Sequence, residues 1–146
     1  MIKKRVGFVT SSILLKTGFS HNAKSLLPFL WKTGKFELFH LNQGMGYTPD
    51  YGRFPWKNDG VLIPGMFDQN KFNSDPAYQR DVSYGNLAVE KFVVENKLDL
   101  LILAEDAWAY SPDYYFKSRW WNQFKNNTLI WTTCDSLPVL PLFKEW

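Results

Sequence analysis

The chain has 146 residues, a formal net charge of +3, one cysteine, and 45% hydrophobic residues, aromatics alone reaching 18%. That length suits one domain with a real core, and so many aromatics beside only 21% charged residues exclude wholesale disorder. A single cysteine excludes a disulfide framework and a cysteine-built zinc site, and so mild a charge makes nucleic acid an unexpected partner.

No run approaches the roughly 18 apolar residues of a transmembrane helix. Met1–Arg5 followed by Val6–Val9 has the outline of a secretory leader, but Thr10, Ser11 and Ser12 interrupt it and no small-x-small cleavage site follows. Basic residues before a buried first strand fit better. With the lone thiol, they predict a cytoplasmic protein.

Arg5–Thr10 is a short apolar run ending in small polar residues, the pattern of a strand buried on both faces. After a loop, Ala23, Leu26, Leu27, Leu30 and Trp31 recur at helical spacing, and Gly34 stands where a left-handed cap would end that helix. Pro28 lies inside it and should kink it, since proline removes a backbone donor. Phe36–Leu41 reads as a second strand. From Asn42 to Arg80 no period persists and glycine and proline recur, so the stretch around 42–80 reads as an irregular insertion with a possible short strand at Val61–Ile63.

Asp81–Lys97 then predicts a helix, with Val82, Gly85, Val89, Phe92, Val93 and Asn96 along one face. Leu98–Ala104 is a buried strand, Ser111–Asn126 is helical with a proline in its first turn, and Thr128–Thr133 is a last buried strand. Strand and helix alternate throughout. The fold class is therefore α/β, a parallel sheet with helices on both faces in a single domain spanning 1–146.

In such sheets ligands lie beyond the carboxyl ends of the strands, where the strand order reverses. If the first strand is central, three segments converge there: the loop from Lys16 to His21, the corner Glu105-Asp106, and the corner Thr133-Cys134-Asp135. Within the first, Gly18 would let the backbone approach a ligand, and Ser20 could cap a helix whose free N–H groups suit a phosphate. A plain strand-to-helix turn needs the same residues. His21 could donate to a ligand or be a solvated helix-start residue. His40, between Phe39 and Leu41, reads as structural or surface. Glu105 and Asp106 leave an apolar strand half out of a low-dielectric core, where a carboxylate could orient an acceptor hydroxyl or take its proton. A helix cap or loop anion is the competing reading, and Asp135 invites the same pair. Trp120 and Trp121 read as packing, Cys134 as an inert small hydrophobe. Neither histidine has partners at metal-ligand spacing, so no metal site is expected.

Lys4-Arg-Val-Gly-Phe-Val-Thr-Ser-Ser12 and Thr17-Gly-Phe-Ser-His-Asn-Ala-Lys-Ser-Leu-Leu27 resemble the opening of GT-B glycosyltransferases of the family 4 kind. Asp99-Leu-Leu-Ile-Leu-Ala-Glu-Asp106 and Leu129-Ile-Trp-Thr-Thr-Cys-Asp-Ser-Leu-Pro138 resemble that domain's later strands and acidic corners. The resemblance implies a Rossmann-like amino-terminal domain and transfer of a sugar from a nucleotide-sugar donor to an acceptor. Thr17, Gly18 and Phe19 would approach the donor diphosphate, and Asp106 and Asp135 would border the acceptor. No cofactor or metal is implied, the nucleotide sugar being a substrate. The family's carboxyl-terminal domain, which carries the nucleotide pocket, has no counterpart in these 146 residues. A second domain or partner subunit is therefore expected to bind the donor, and the chain alone should be inactive. Ser20 stands where many relatives carry a second glycine. A non-catalytic α/β interaction module and a stand-alone nucleotide-binding domain are the alternatives.

Overall fold

The computed structural model describes residues 2–44 and 52–132. In chain order the elements are β1 (Lys4–Ser11), α1 (Gly18–Lys32), β2 (Phe36–Gln43), β3 (Lys57–Gly60), α2 (Gln69–Ser74), α3 (Pro76–Ser83), α4 (Val89–Glu95), β4 (Leu100–Ala104), α5 (Arg119–Phe124) and β5 (Thr128–Ile130). Every strand pair is parallel, and the sheet order is β3-β2-β1-β4-β5. This is a Rossmann-like α/β fold. β1 lies at its centre, as the apolar run Val6–Val9 implies, and the order reverses between β1 and β4.

Alternation along the strands sorts the core into two layers. Val6, Phe8 and Leu38 pack with Ala23 and Leu27 of α1 on one face. Val9, Leu41, Leu101 and Leu103 pack with Val89, Phe92, Trp120 and Trp121 on the other. Leu27 and Leu101 are fully buried, each contributing about 2 kcal/mol by removal from water. Trp120 and Trp121, each 6% exposed, are packing residues as expected.

α1 runs unbroken through Pro28, and Gly34 beyond it takes the left-handed conformation expected of it, with φ +69°. Its cap is Thr17 rather than Ser20: Thr17 Oγ1 accepts from Ser20 N at 3.1 Å, and the Ser20 hydroxyl, itself buried, donates to Leu15 O. The residues at 57–83 hold more structure than an irregular insertion. The short strand is Lys57–Gly60, ahead of Val61–Ile63, and Asp68 and Asp75 each cap a following helix by accepting two backbone N–H groups. The helix expected over Asp81–Lys97 is two. Gly85, at φ +77°, turns the chain between α3 and α4, while Val82, Val89, Phe92 and Val93 stay buried on the common face. Turns replace most of the helix expected over Ser111–Asn126, leaving six residues as α5.

Candidate functional site

The register of β1 with β4 ends at Thr10 and Ala104. One residue further on each strand, Ser11 and Glu105 face each other across the switch point. Glu105 Oε1 accepts from Ser11 N at 3.0 Å and from the Ser11 hydroxyl. Glu105 is only 7% exposed, because β4 is a core strand and carries its next residue partway inward with it. Burial pushes its carboxyl above the usual range, the two Ser11 bonds pull it back, and the Asp106 charge adds to the rise. Among the described residues no hydrogen bond reaches Glu105 Oε2, and that oxygen is not sealed from solvent.

Around this pair the other strand ends supply a polar rim. Asp106 is half-buried, and Thr132, just beyond β5, directs its hydroxyl at Asp106 Oδ1 over 3.5 Å. Gln43, the last residue of β2, is buried and donates from Nε2 to Tyr84 O at 2.8 Å. Tyr84 therefore hangs over the edge from the turn after α3. Burial raises its phenol first, and the charges of Glu105 and Asp106 raise it further, which places the hydroxyl in the field of both carboxylates. Trp108 lies edge-on to Tyr84, ring centroids 5.3 Å apart at 79°, and remains 52% exposed. Tyr110, fully buried, anchors the corner by donating to Val9 O at 3.3 Å.

The sequence-predicted residues divide in two. Glu105 and Asp106 stand at the switch point itself. Thr17, Gly18 and His21 are exposed at the start of α1, which follows the same carboxyl end of β1, and Phe19 is half-buried there. Their link to the sheet edge runs through Leu15, whose carbonyl accepts from Ser20 Oγ and from Lys24 Nζ. The His21 side chain makes no hydrogen bond among the described residues; its N–H caps onto Thr17 O. A Cβ on Gly18 would meet nothing within 4 Å, so glycine there is not demanded by crowding, and the space outside it is open. Thr133, Cys134 and Asp135 lie outside the described residues.

Sequence reasoning missed Ser11, Gln43, Tyr84 and Trp108 as rim residues. The first two carried a readable signal, since each is the polar last residue of an apolar strand. Tyr84 and Trp108 carried none, because only the turn at Gly85 and the corner at Glu105 bring them together. His40 is fully buried within the sheet and structural; burial lowers its pKa to about 4 against weaker opposing pulls from the Thr10 backbone and Asn58.

Among the described residues several grooves lie away from the rim, two of them beside β3 and α1. One of about 200 Å³ between β3 and α4 includes Lys57, Asp59, Lys91, Glu95 and Asn96. These charges satisfy one another, Lys57 with Asn96 at 2.8 Å and Asp59 at 3.6 Å, Lys91 with Glu95 at 3.9 Å. The other, about 370 Å³ between α1 and Phe54-Trp56, is apolar save for Lys24. Neither holds an arrangement that could do chemistry. Among the described residues no cluster of three histidine, cysteine or acidic side chains could hold a metal, and no helix is long and apolar enough to cross a membrane. No protein-family model matches the chain, and no curated protein matches it.

Proposed function

We propose that this chain is the acceptor-side domain of a GT-B glycosyltransferase, with a second domain or partner chain holding the nucleotide-sugar donor. The observation that supports this most is the Ser11–Glu105 pair at the reversal point between β1 and β4, with Asp106 beside it. A carboxylate there, half out of a low-dielectric core, can accept a hydrogen bond from an acceptor hydroxyl and take its proton as the new glycosidic bond forms and the anomeric C–O bond breaks, the nucleoside diphosphate leaving with the electron pair. Asp106 is the residue given that role. Ser11 holds Glu105 by one oxygen, which keeps the rim rigid where the acceptor would bind. The open space outside Gly18, at the amino end of α1, leaves room for the donor diphosphate, whose charge the free N–H groups of a helix start would offset. The resemblance of Thr17-Gly-Phe-Ser20 and Leu100–Asp106 to the family's motifs supports the same assignment.

Calorimetric titration of the 146-residue chain with UDP, GDP and ADP tests it. This reading expects no binding tighter than about 10 µM, roughly 7 kcal/mol, because the nucleotide pocket belongs to the other domain. Tighter binding would overturn it in favour of a stand-alone nucleotide-binding domain.

A further inference from the structure

Charge is divided unevenly along the chain. The first 36 residues carry seven lysines and arginines and no acidic residue, while the remaining 110 carry ten against fourteen. Those 36 residues make β1, α1 and the turn into β2. Because β1 is the buried centre of the sheet, α1 and the turns flanking it bring most of this charge to the surface. Lys4 is paired with Asp99 at 3.5 Å, Arg5 with Glu37 at 3.4 Å, and Lys24 donates to Leu15 O. Lys3, Lys16, Lys32 and Lys35 are exposed, and among the described residues no hydrogen bond or ion pair holds their side chains. α1 itself buries Ser20, Ala23 and Leu27. A helix packed that way normally turns polar residues outward. Here Phe29, about 200° round the helix from Leu27, is 65% exposed, and Trp31 is 44% exposed. Trp31 continues one flank of α1 with Lys24 and Pro28, at helical spacing. Lys24 and Pro28 in turn line the groove of about 370 Å³ with Leu14, Phe54 and Trp56, so the apolar surface runs on beyond the two rings.

We propose that the outer face of α1 docks on a lipid bilayer with anionic headgroups, Phe29 and Trp31 entering the headgroup boundary between the lysines. This goes beyond the glycosyltransferase reading and stands without it. Aromatic rings among cations of one sign match both halves of an interfacial site. The rings gain by burial in the headgroup layer, and the ammonium groups by attraction to anionic lipid. Lysine suits the edge of such a site, since its stem lies along apolar surface while the charged end stays in water. A protein partner fits less well, because lysine is depleted at the cores of protein interfaces. Nucleic acid also fits less well. The outermost position of the helix is Phe29, where a phosphate backbone would call for a cation. Attachment through two rings and a few lysines is shallow and reversible.

The test is flotation of the 146-residue chain with vesicles of phosphatidylcholine alone and of phosphatidylcholine mixed with phosphatidylglycerol. The expected result is binding to the mixed vesicles about tenfold tighter than to the neutral ones, weakening as added salt screens the lysines. Phe29→Ser together with Trp31→Ser should weaken it by about tenfold or more, and Lys32→Glu by about fivefold. All three side chains are exposed, so the far-UV circular dichroism of these variants should be unchanged. Lys91→Glu is the control. It is exposed on α4, which packs on the opposite face of the sheet from α1, and should leave binding unaltered. No binding to the mixed vesicles, equal binding to the neutral ones, or binding that survives the double variant would each overturn the proposal. Tighter binding to a DNA oligonucleotide than to vesicles, lost in Lys32→Glu, would overturn it in favour of nucleic acid. A dimer in analytical ultracentrifugation that the double variant dissolves, without vesicle binding, would overturn it in favour of a second copy of the chain.

Discussion

Ser11 and Glu105 close the gap between β1 and β4 one residue past the end of their ladder, Ser11 giving both its N–H and its hydroxyl to a single carboxylate oxygen. The pair takes over where backbone pairing stops, so it fixes the mouth of the crevice. Ser11→Ala removes one of two bonds to a buried carboxyl and should cost about 1–2 kcal/mol in urea unfolding at neutral pH.

Glu105 also leaves a signature in pH. Its folded carboxyl holds a proton more tightly than the unfolded one, whose ordinary value is 4.5. The stability it contributes is therefore full below pH 4.5 and lost as pH rises through the higher folded value. Glu105→Gln should abolish that loss, so the stability of the variant relative to the native chain should grow as pH rises from 4.5 toward neutrality. An unchanged profile would mean that Ser11 compensates the burial fully.

His40 acts in the opposite direction and more strongly. Its imidazole is fully enclosed, lies in register between Phe8 and Asn58, and has its pKa lowered from 6.5 to about 4. The unfolded chain takes up the proton first, so stability is complete above pH 6.5 and falls as pH drops toward 4, by about 3 kcal/mol over that span. His40→Leu should lose this acid sensitivity. Comparing denaturation midpoints of the two proteins across the same pH range checks it, and parallel curves would remove His40 as the source.

Two glycines that look alike in sequence should behave differently. A Cβ on Gly7 would fall within the Leu98 side chain and 2.9 Å from Phe92 Cε1, in the packed layer between β1 and α4. Gly7→Ala should cost about 1–3 kcal/mol by overpacking. Gly18→Ala has open space and an ordinary backbone, so its melting temperature should match or exceed that of the native chain. Thr17→Ala, by contrast, removes the cap on Ser20 N and should cost about 1 kcal/mol.

These contrasts show which parts of the fold the residues announce. Strands buried on both faces are legible because nearly every side chain must be apolar, as Val6, Phe8 and Val9 or Leu101 and Leu103 are. β3 is the reverse case: Lys57-Asn-Asp-Gly60 has no apolar signature, since an edge strand is held through its ladder to Phe39–Asn42 rather than by burial. The helical face from Val82 to Val93 was readable, yet its division at Gly85 was not, because burial periodicity continues across the turn. α2 and α3 did carry a local signal, Asp68 and then Asp75-Pro76, a capping carboxylate and a proline in the first turn. At the site, Glu105 and Asp106 were legible from their place after a core strand. Tyr84 and Trp108 were not, since their approach is a property of the tertiary fold.

Asp106 separates catalysis from architecture most directly. Ser11 fastens Glu105 to the sheet, so changing Glu105 alters stability and rate together. The bond between Asp106 and Thr132 is long, at 3.5 Å, and an asparagine can still accept it. Asp106→Asn, nearly isosteric, should leave the far-UV circular dichroism unchanged while lowering kcat of the two-domain assembly by about a hundredfold or more, with KM for the acceptor changed far less. Asp113→Asn, which releases a surface pair with Lys117, is the matched control and should leave the rate unaltered. Native rates in Asp106→Asn would remove this carboxylate from the reaction and return Glu105-Asp106 to the role of a loop anion.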